Sequence, residues 1–256
     1  MKPLFRYLLA GLGAAAVAAL TLVLVHKARQ SRLSLTCTGV EVHIKEDWQF
    51  VTEDDVKGWL TKIYGPYIGQ RLDSVRLCKI ESILERQSAV LTSEAWTDTE
   101  GILHIGITQR EPVLRLQQGD NGFYVDERGC IFPLQRNYTS RVPVVDGALP
   151  LNIPAGYKGD AGQAGEWLSE LLTMTSYLRK SRLWSDNIVQ IHVREDGDIV
   201  MIPREGREQF IFGSPSRAPE KFARMEEYYR SIKPAREDGY YRSVNVKYRG
   251  QIICRK

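Results

Sequence analysis

Residues Gly101–Val113 read GILHIGITQREPV, and they mark the point at which one structural pattern gives way to another. Leu103, Ile105 and Ile107 occupy every second position of this stretch. A period of two places alternate side chains on opposite faces of a strand, so the pattern predicts a strand with one buried face. From Pro112 onward the chain consists of short apolar runs separated by turn residues, which indicates that a second domain begins there.

Upstream of this strand the sequence predicts a strand, two helices and a further strand. Apolar and polar residues alternate over 40–44, which is typical of a half-buried strand. Thr52 precedes three acidic residues and predicts the N-cap of a helix that ends at Gly65–Pro66. Asp73 predicts the N-cap of a second helix, and 90–96 reads as the next strand. This order predicts an α+β module with two helices on one face of a small sheet.

Downstream of Pro112 the sequence predicts a β-rich domain with two helices. The predicted strands lie at 113–116, 123–126, 142–145, 188–193, 199–202 and 209–212, and the predicted helices at 166–180 and 219–232. A stretch rich in Gly, Pro and Ala over 149–165 predicts a long connection. Gly239–Cys254 is predicted to be a final extended stretch.

An uncharged apolar run precedes both domains. Tyr7–Val25 contains nineteen residues without a charge, which as a helix would rise roughly 28 Å, close to the hydrocarbon thickness of a bilayer. We therefore expect residues 1–6 to form a cytoplasmic stub, 7–26 a single transmembrane helix and 27–36 a linker, with the rest of the chain exported. A cleaved signal peptide is the alternative, but the apolar run continues through 20–25, past the small residues where cleavage would occur.

The charge distribution bounds the class of partner. The formal net charge is +4, from 35 Lys and Arg against 31 Asp and Glu. Five of the basic residues precede Glu41, the first acid, so the chain from Glu41 onward has 30 basic against 31 acidic residues, a balance of −1. A nucleic-acid-binding domain needs a clustered basic face, which this balance excludes. A hydrophobic content of 43% excludes a wholly disordered chain.

The sequence contains no motif of a known catalytic or nucleotide-binding site. GxSxG, HExxH, GxxxxGK[ST] and CxxC are all absent. His43, His104 and His192 each lie on the strand face opposite the aliphatic side chains, which favours solvated strand positions over a catalytic pair. The four cysteines show no metal-ligand spacing, and three disulfide pairings are possible among them. We therefore predict no catalytic, cofactor-binding or metal-binding residues.

The last segment of the chain carries the best indication of a binding site. Bulky and polar residues alternate from Gly239 to Tyr248, and Arg249–Gly250 can turn or bulge the strand. One interpretation is an ordinary sheet strand. The other is a strand at or beside an open edge, which receives another chain's strand through backbone hydrogen bonds. The predicted partner-binding residues are Tyr240, Tyr241, Val244, Val246, Tyr248 and Ile252.

Four stretches of the sequence resemble the FtsQ/DivIB family of bacterial division proteins. Gly101–Val113 is similar to the family's strand ending in Arg-x-Pro, and Phe123–Phe132 to its Tyr-hydrophobic-Asp-x-x-Gly hairpin. Val142–Gly147 is similar to its Pro-x-hydrophobic-x-Gly strand, and Val244–Cys254 to the final strands of the family's Bacteroidetes branch. Together with the apolar N-terminal run, these stretches extend the resemblance over essentially the whole chain.

The resemblance implies a polypeptide-transport-associated (POTRA) module of β-α-α-β-β order over 37–111 and a β domain over 112–256. It implies a bitopic inner-membrane scaffold at the division septum, without catalytic activity or cofactors, whose final stretch offers a strand edge to FtsB- and FtsL-like proteins. We expect neither nucleic acid nor a small-molecule substrate as a partner. The alternatives are a membrane-anchored envelope enzyme with an unrecognised carboxylate pair, and a POTRA-bearing envelope assembly factor.

Overall fold

The computed structural model describes residues 16–26, 35–237 and 239–256. Residues 16–26 form a helix, and among the described residues no helix is both long and apolar enough to cross a bilayer. The predicted stub 1–6, residues 7–15 of the predicted transmembrane helix and residues 27–34 of the predicted linker lie outside the described residues.

The chain divides into two compact units, with the boundary between Gln109 and Arg110. The first unit contains β1 (Gly39–Ile44), α1 (Glu53–Trp59), α2 (Leu77–Glu85), β2 (Val90–Thr97) and β3 (Ile102–Gln109). Strand β3 is central, because β1 pairs with it in parallel and β2 pairs with it antiparallel. The element order is the β-α-α-β-β order that the sequence predicted.

Local hydrogen bonds explain where α1 begins and ends. The Thr52 hydroxyl accepts the Asp55 N–H at 3.2 Å, and the Asp55 carboxylate accepts the Thr52 N–H at 3.0 Å. This reciprocal capping box confirms Thr52 as the N-cap. The helix continues as one π turn, Leu60–Tyr64, and stops at Gly65, whose φ of 100° favours glycine.

The predicted N-cap at Asp73 is wrong. Asp73 lies in a 3₁₀ turn, and its two carboxylate oxygens accept hydrogen bonds from the Arg71 guanidinium at 3.1 and 2.7 Å. That pairing engages the oxygens that a cap would offer to backbone N–H groups. Helix α2 begins at Leu77, with Arg76 as N-cap and no side-chain cap.

The two helices of the first unit cover one face of the three-stranded sheet. Leu103, Ile105 and Ile107 are each 0% exposed, which confirms the alternation predicted for β3. Helix α1 packs against β1 and α2 against β2, so the helices supply the apolar cover. The opposite face carries His43, Trp96 and other polar or partly exposed side chains.

The second unit is built on a nine-stranded sheet. Its strands are β4 (Pro112–Gln118), β5 (Asn121–Asp126), β6 (Ile131–Pro133), β7 (Val144–Gly147), β8 (Ile188–Val193), β9 (Ile199–Pro203), β10 (Gln209–Gly213), β11 (Ser243–Asn245) and β12 (Ile253–Arg255). They are ordered β12-β11-β10-β9-β8-β7-β4-β5-β6. The α-helices of this unit are α3 (Gly165–Lys180) and α4 (Ala218–Glu227).

Two predictions for this unit need correction. The predicted helix 219–232 is α-helical only to Glu227 and then forms a π turn, Tyr228–Ile232. The predicted extended stretch 239–254 is two three-residue strands that pair antiparallel with each other. The chain reverses between them at Gly250, where φ is 64°.

The core of the second unit lies between its sheet and its helices. Leu171 and Leu178 of α3 and Phe222 of α4 are each 0% exposed and belong to one hydrophobic cluster. Trp184 meets Phe210 edge-on, with ring centroids 5.9 Å apart. Burial of side chains of this size contributes about 1.5–3 kcal/mol each, so this cluster is the main source of the unit's stability.

Asp126 explains the Asp-x-x-Gly pattern of the β5–β6 hairpin. One carboxylate oxygen accepts the backbone N–H groups of Arg128 and Cys130 at 3.0 and 2.9 Å. The other lies 2.6 Å from Nη1 of Arg110. Gly129 adopts a φ of 82°, which the turn needs and which a side chain would strain.

Candidate partner-binding edge

Strand β12 is the last strand of the nine-stranded sheet. Strand β11 lies between β10, with which it runs parallel, and β12, with which it runs antiparallel. Within the described residues, no strand pairs with the outer side of β12. An edge of this kind presents backbone groups to which another strand can bind.

The register shows which backbone groups of β12 face outward. The Val246 N–H donates to the Ile211 carbonyl at 3.0 Å, so the even-numbered residues of β11 face β10 and the odd-numbered ones face β12. Ser243 and Asn245 pair with Arg255 and Ile253. The N–H and C=O groups of Cys254, between those two, therefore point to the open side.

The predicted site residues divide into three groups by exposure. Val244 and Val246 are 0% exposed and belong to the core. Tyr241 and Ile252 are half-buried against that core. Only Tyr240 and Tyr248 are largely exposed, at 38% and 51%.

Tyr240 is held by its neighbours at the end of the chain. Its ring packs edge-on against Tyr241, with centroids 4.9 Å apart, and the Lys256 ammonium lies 4.3 Å from the ring centroid. A hydrogen bond with Lys256, and the positive charge of that residue, lower the pKa of the Tyr240 hydroxyl. The tyrosine is thus positioned beside the final strand without being buried.

Two contacts fix the segment that follows β11. Nε and Nη2 of Arg224, on α4, donate to the Val246 carbonyl at 3.0 and 2.8 Å. The Lys247 ammonium binds both carboxylate oxygens of Asp198, at 2.8 and 2.7 Å, and this hydrogen-bonded pair raises the pKa of Lys247. These contacts order the chain between Val246 and the exposed Tyr248.

The predicted set of site residues leaves out the residues of the edge strand itself. Ile253, 36% exposed, Cys254 and Arg255 form β12, whereas the predicted set stopped at Ile252. The apolar run Ile252-Ile253-Cys254 near the end of the chain is the one sequence feature that indicated a strand there.

Comparison with known families assigns both units. Residues 35–108 match the POTRA-like domain. Residues 111–255 match the family described as FtsQ/DivIB, C-terminal related, and this match covers 145 of 256 residues, more than half of the chain. The chain belongs to the FtsQ/DivIB family. Among proteins of curated function, none matches the chain.

Membership of the FtsQ/DivIB family assigns the first unit as a POTRA-like domain and connects the protein with bacterial cell division. The FtsQ/DivIB family is a non-enzymatic family, in keeping with the lack of a catalytic motif in the sequence. The open edge β12 lies inside the segment that matches the FtsQ/DivIB C-terminal domain.

Of the histidines and cysteines that the structure describes in this FtsQ/DivIB family member, Cys254 alone belongs to the edge strand β12. His192 binds Asp146, with Nδ1 2.8 Å from Oδ1. His43 and His104 lie on the predicted strand face, but they are not separate solvated positions, because their rings stack and Nε2 of His43 lies 3.3 Å from Nδ1 of His104. All four cysteines are free thiols.

Proposed function

We propose that this protein is a non-enzymatic bitopic membrane scaffold of the divisome, which recruits FtsB- and FtsL-type proteins during septum formation. The observation that carries the proposal is the outer side of β12, which pairs with no other strand of the described chain and lies within the segment that matches the FtsQ/DivIB C-terminal domain. The proposed topology has residues 1–6 in the cytoplasm, 7–26 in the inner membrane and the two folded units in the periplasm.

The edge provides both parts of strand recognition. The outward N–H and C=O of Cys254 offer backbone hydrogen bonds to an added strand, which are independent of the partner's sequence. Tyr240, Tyr248 and Ile253 are exposed near that edge and offer apolar surface for side-chain selection. Tyrosine suits an interface because it buries a large area while its hydroxyl keeps a hydrogen-bonding partner.

The sharpest test separates the backbone of Cys254 from its side chain. In the full chain purified in detergent, Cys254→Pro removes the outward N–H, whereas the matched control Cys254→Ala keeps it. We expect the proline variant to bind an FtsB-type partner at least about tenfold more weakly than the alanine variant, since one hydrogen bond and the local strand geometry are lost. Equal binding by the two variants would contradict strand addition at β12.

A second variant covers the case in which proline disturbs the fold. Ile253→Glu places a charge on an exposed side chain of the edge and leaves the β11–β12 backbone pairing intact. It should also weaken partner binding while the thermal unfolding midpoint stays within a few degrees of wild type.

In cells, depletion of the protein should produce undivided filaments, and viable cells of normal length would argue against the division role.

A further inference from the structure

The open face of the three-stranded sheet in the first unit brings together three side chains from two strands. Glu41 of β1 stands directly opposite His104 of β3, and His43 follows two residues later on the same face of β1. His104 is 61 positions after His43 in the sequence, and the parallel β1–β3 pairing brings it beside Glu41 and His43.

The donor atoms of this cluster are spaced like the ligands of one metal ion. Nε2 of His43 lies 3.3 Å from Nδ1 of His104, and Oε2 of Glu41 lies 3.4 Å from the same Nδ1 and 3.9 Å from Nε2 of His43. A tetrahedral Zn(II) ion with bonds of about 2.0–2.1 Å separates its ligand atoms by roughly 3.3–3.4 Å. Two of the three edges already have that length, and the third needs a shift of about half an ångström.

Asp98 sets the tautomer of His104 that a metal ion requires. Its Oδ2 lies 2.9 Å from Nε2 of His104, while its Oδ1 accepts the backbone N–H groups of Glu100 and Ile102, both at 2.9 Å. A carboxylate cannot donate, so His104 carries its proton on Nε2 and keeps a lone pair on Nδ1, toward Glu41 and His43. Histidine ligands of metals commonly donate their second N–H to a carboxylate in this way.

The surroundings hold the cluster in place. The side chain of His104 is only 15% exposed, and Trp96 stacks on it with ring centroids 5.3 Å apart. Trp96 also stacks on His43 at 5.8 Å. Gly106 lies next to the ring of Trp96, and a Cβ added to Gly106 would stand 3.4 Å from a carbon of that ring. His43 and Glu41 are each 53% exposed, which leaves an entry path for an ion.

We propose that Glu41, His43 and His104 bind one divalent transition-metal ion, with Asp98 as the positioning residue for His104. Two imidazoles and one carboxylate suit Zn(II) and leave a fourth position for water. Without an ion, the Nε2–H of His43 donates to Nδ1 of His104. Binding moves that proton to Nδ1 of His43, whose side chain is 53% exposed. The ion then joins β1 to β3 in the POTRA-like unit. This site is independent of the edge β12 and of the proposed division function.

The first experiment measures zinc binding directly. The full chain, free of any polyhistidine tag and purified in detergent, is titrated with Zn(II) against a chromophoric chelator. We expect one equivalent to bind, and His43→Ala and His104→Ala each to weaken binding by more than about 100-fold. His192→Ala is the matched control, because His192 also pairs with a carboxylate but lies outside the cluster. Equal zinc affinity of wild type and both cluster variants would overturn the site.

A second experiment tests the role of Asp98. Asp98→Asn keeps an Oδ1 acceptor for the two backbone N–H groups but presents an amide N–H to Nε2 of His104. His104 must then carry its proton on Nδ1, where it blocks the metal. We expect roughly 10- to 100-fold weaker zinc binding with little change in the zinc-free unfolding midpoint. Unchanged zinc affinity would show that Asp98 has no positioning role.

Co(II) provides a readout that is specific for geometry. Substituted into the site, Co(II) should give the intense visible absorption of a four-coordinate ion, and His43→Ala should abolish it. If the wild type shows only the weak absorption of six-coordinate Co(II), the tetrahedral site is overturned.

Excess Zn(II) should also raise the unfolding midpoint of the wild type, by mass action on the folded state, and leave that of His104→Ala unchanged.

Discussion

The ammonium of Lys247 lies 2.8 and 2.7 Å from the two carboxylate oxygens of Asp198, which ties the chain after β11 to the turn between β8 and β9. Lys247 is 39% exposed and Asp198 16% exposed, so the pair is worth only about 0–1 kcal/mol to stability. The pair has a greater effect on the conformation of the chain after β11, because Tyr248 is the next residue after Lys247. The pair therefore connects the fold to the proposed partner-binding surface.

Asp198→Asn should consequently affect partner binding more than stability. We expect the free energy of unfolding to fall by no more than about 1 kcal/mol, and partner affinity to fall roughly 2- to 10-fold because the segment must be ordered on binding. Asp73→Asn, which breaks an ion pair in the other unit, is the control and should leave affinity unchanged. The hydrogen bond with Asp198 raises the pKa of Lys247, so on the alkaline side the ammonium's contribution is complete at neutral pH and is lost as pH rises above about 10.4.

Tyr248→Ala should weaken partner binding without unfolding the protein. Its side chain is 51% exposed, so truncation removes little buried area from the fold. If Tyr248 anchors the interface, its loss should cost on the order of 2 kcal/mol, about thirtyfold in affinity, by calorimetry or surface plasmon resonance. Tyr138→Ala removes a tyrosine that is 36% exposed in another part of the second unit, and it should bind as wild type does.

Val246→Pro should destabilise the second unit itself, and its effect is not confined to a binding surface. The substitution removes the N–H that binds the Ile211 carbonyl and puts a ring where a fully buried valine packs. An unsatisfied buried carbonyl alone costs about 1–3 kcal/mol. Thermal unfolding should show a clear drop in midpoint.

Truncation before Ser243 should also lower the unfolding midpoint, because it removes Val244 and Val246 from the core. Removal of 253–256 leaves both valines in place.

Because Lys221 is buried, we expect the free energy of unfolding to depend on pH. The residue is 1% exposed, its ammonium donates to the Ser214 carbonyl at 2.7 Å, and burial lowers its pKa to about 8. Below pH 8 the ammonium of Lys221 is charged in the folded protein, where its burial costs stability. Between pH 8 and about 10.5 the unfolded chain binds more protons than the folded one, so stability should rise with pH.

Lys221→Met tests this explanation by removing the charge and keeping an unbranched side chain that is one atom shorter. In urea titrations the variant should lack the rise in stability between pH 8 and 10, and at pH 7 it should be as stable as wild type or more stable. Lys233→Met is the control, since Lys233 lies 2.9 Å from Glu208 and its loss should destabilise the protein. A wild type whose stability is flat over that pH range would contradict the buried charge.

The proposed membrane topology is tested by a fusion. A reporter that is active only in the cytoplasm, joined after Lys256, should be inactive, because the proposed single span at 7–26 places the folded units outside the cytoplasm. The same reporter joined before Met1 should be active. Activity at the C-terminal fusion would reverse the orientation.

Sequence alone determined the features that depend on local periodicity and capping. The alternation over 102–109 and the N-cap at Thr52 needed only neighbours within a few residues, and both are as predicted. Tertiary structure decided what depends on distant partners. It buried Val244 and Val246, made β12 the edge strand, and brought His43 to His104 through the pairing of β1 with β3. A period of two shows which residues share a face, but sheet order and register determine which of those faces are covered and which residues meet.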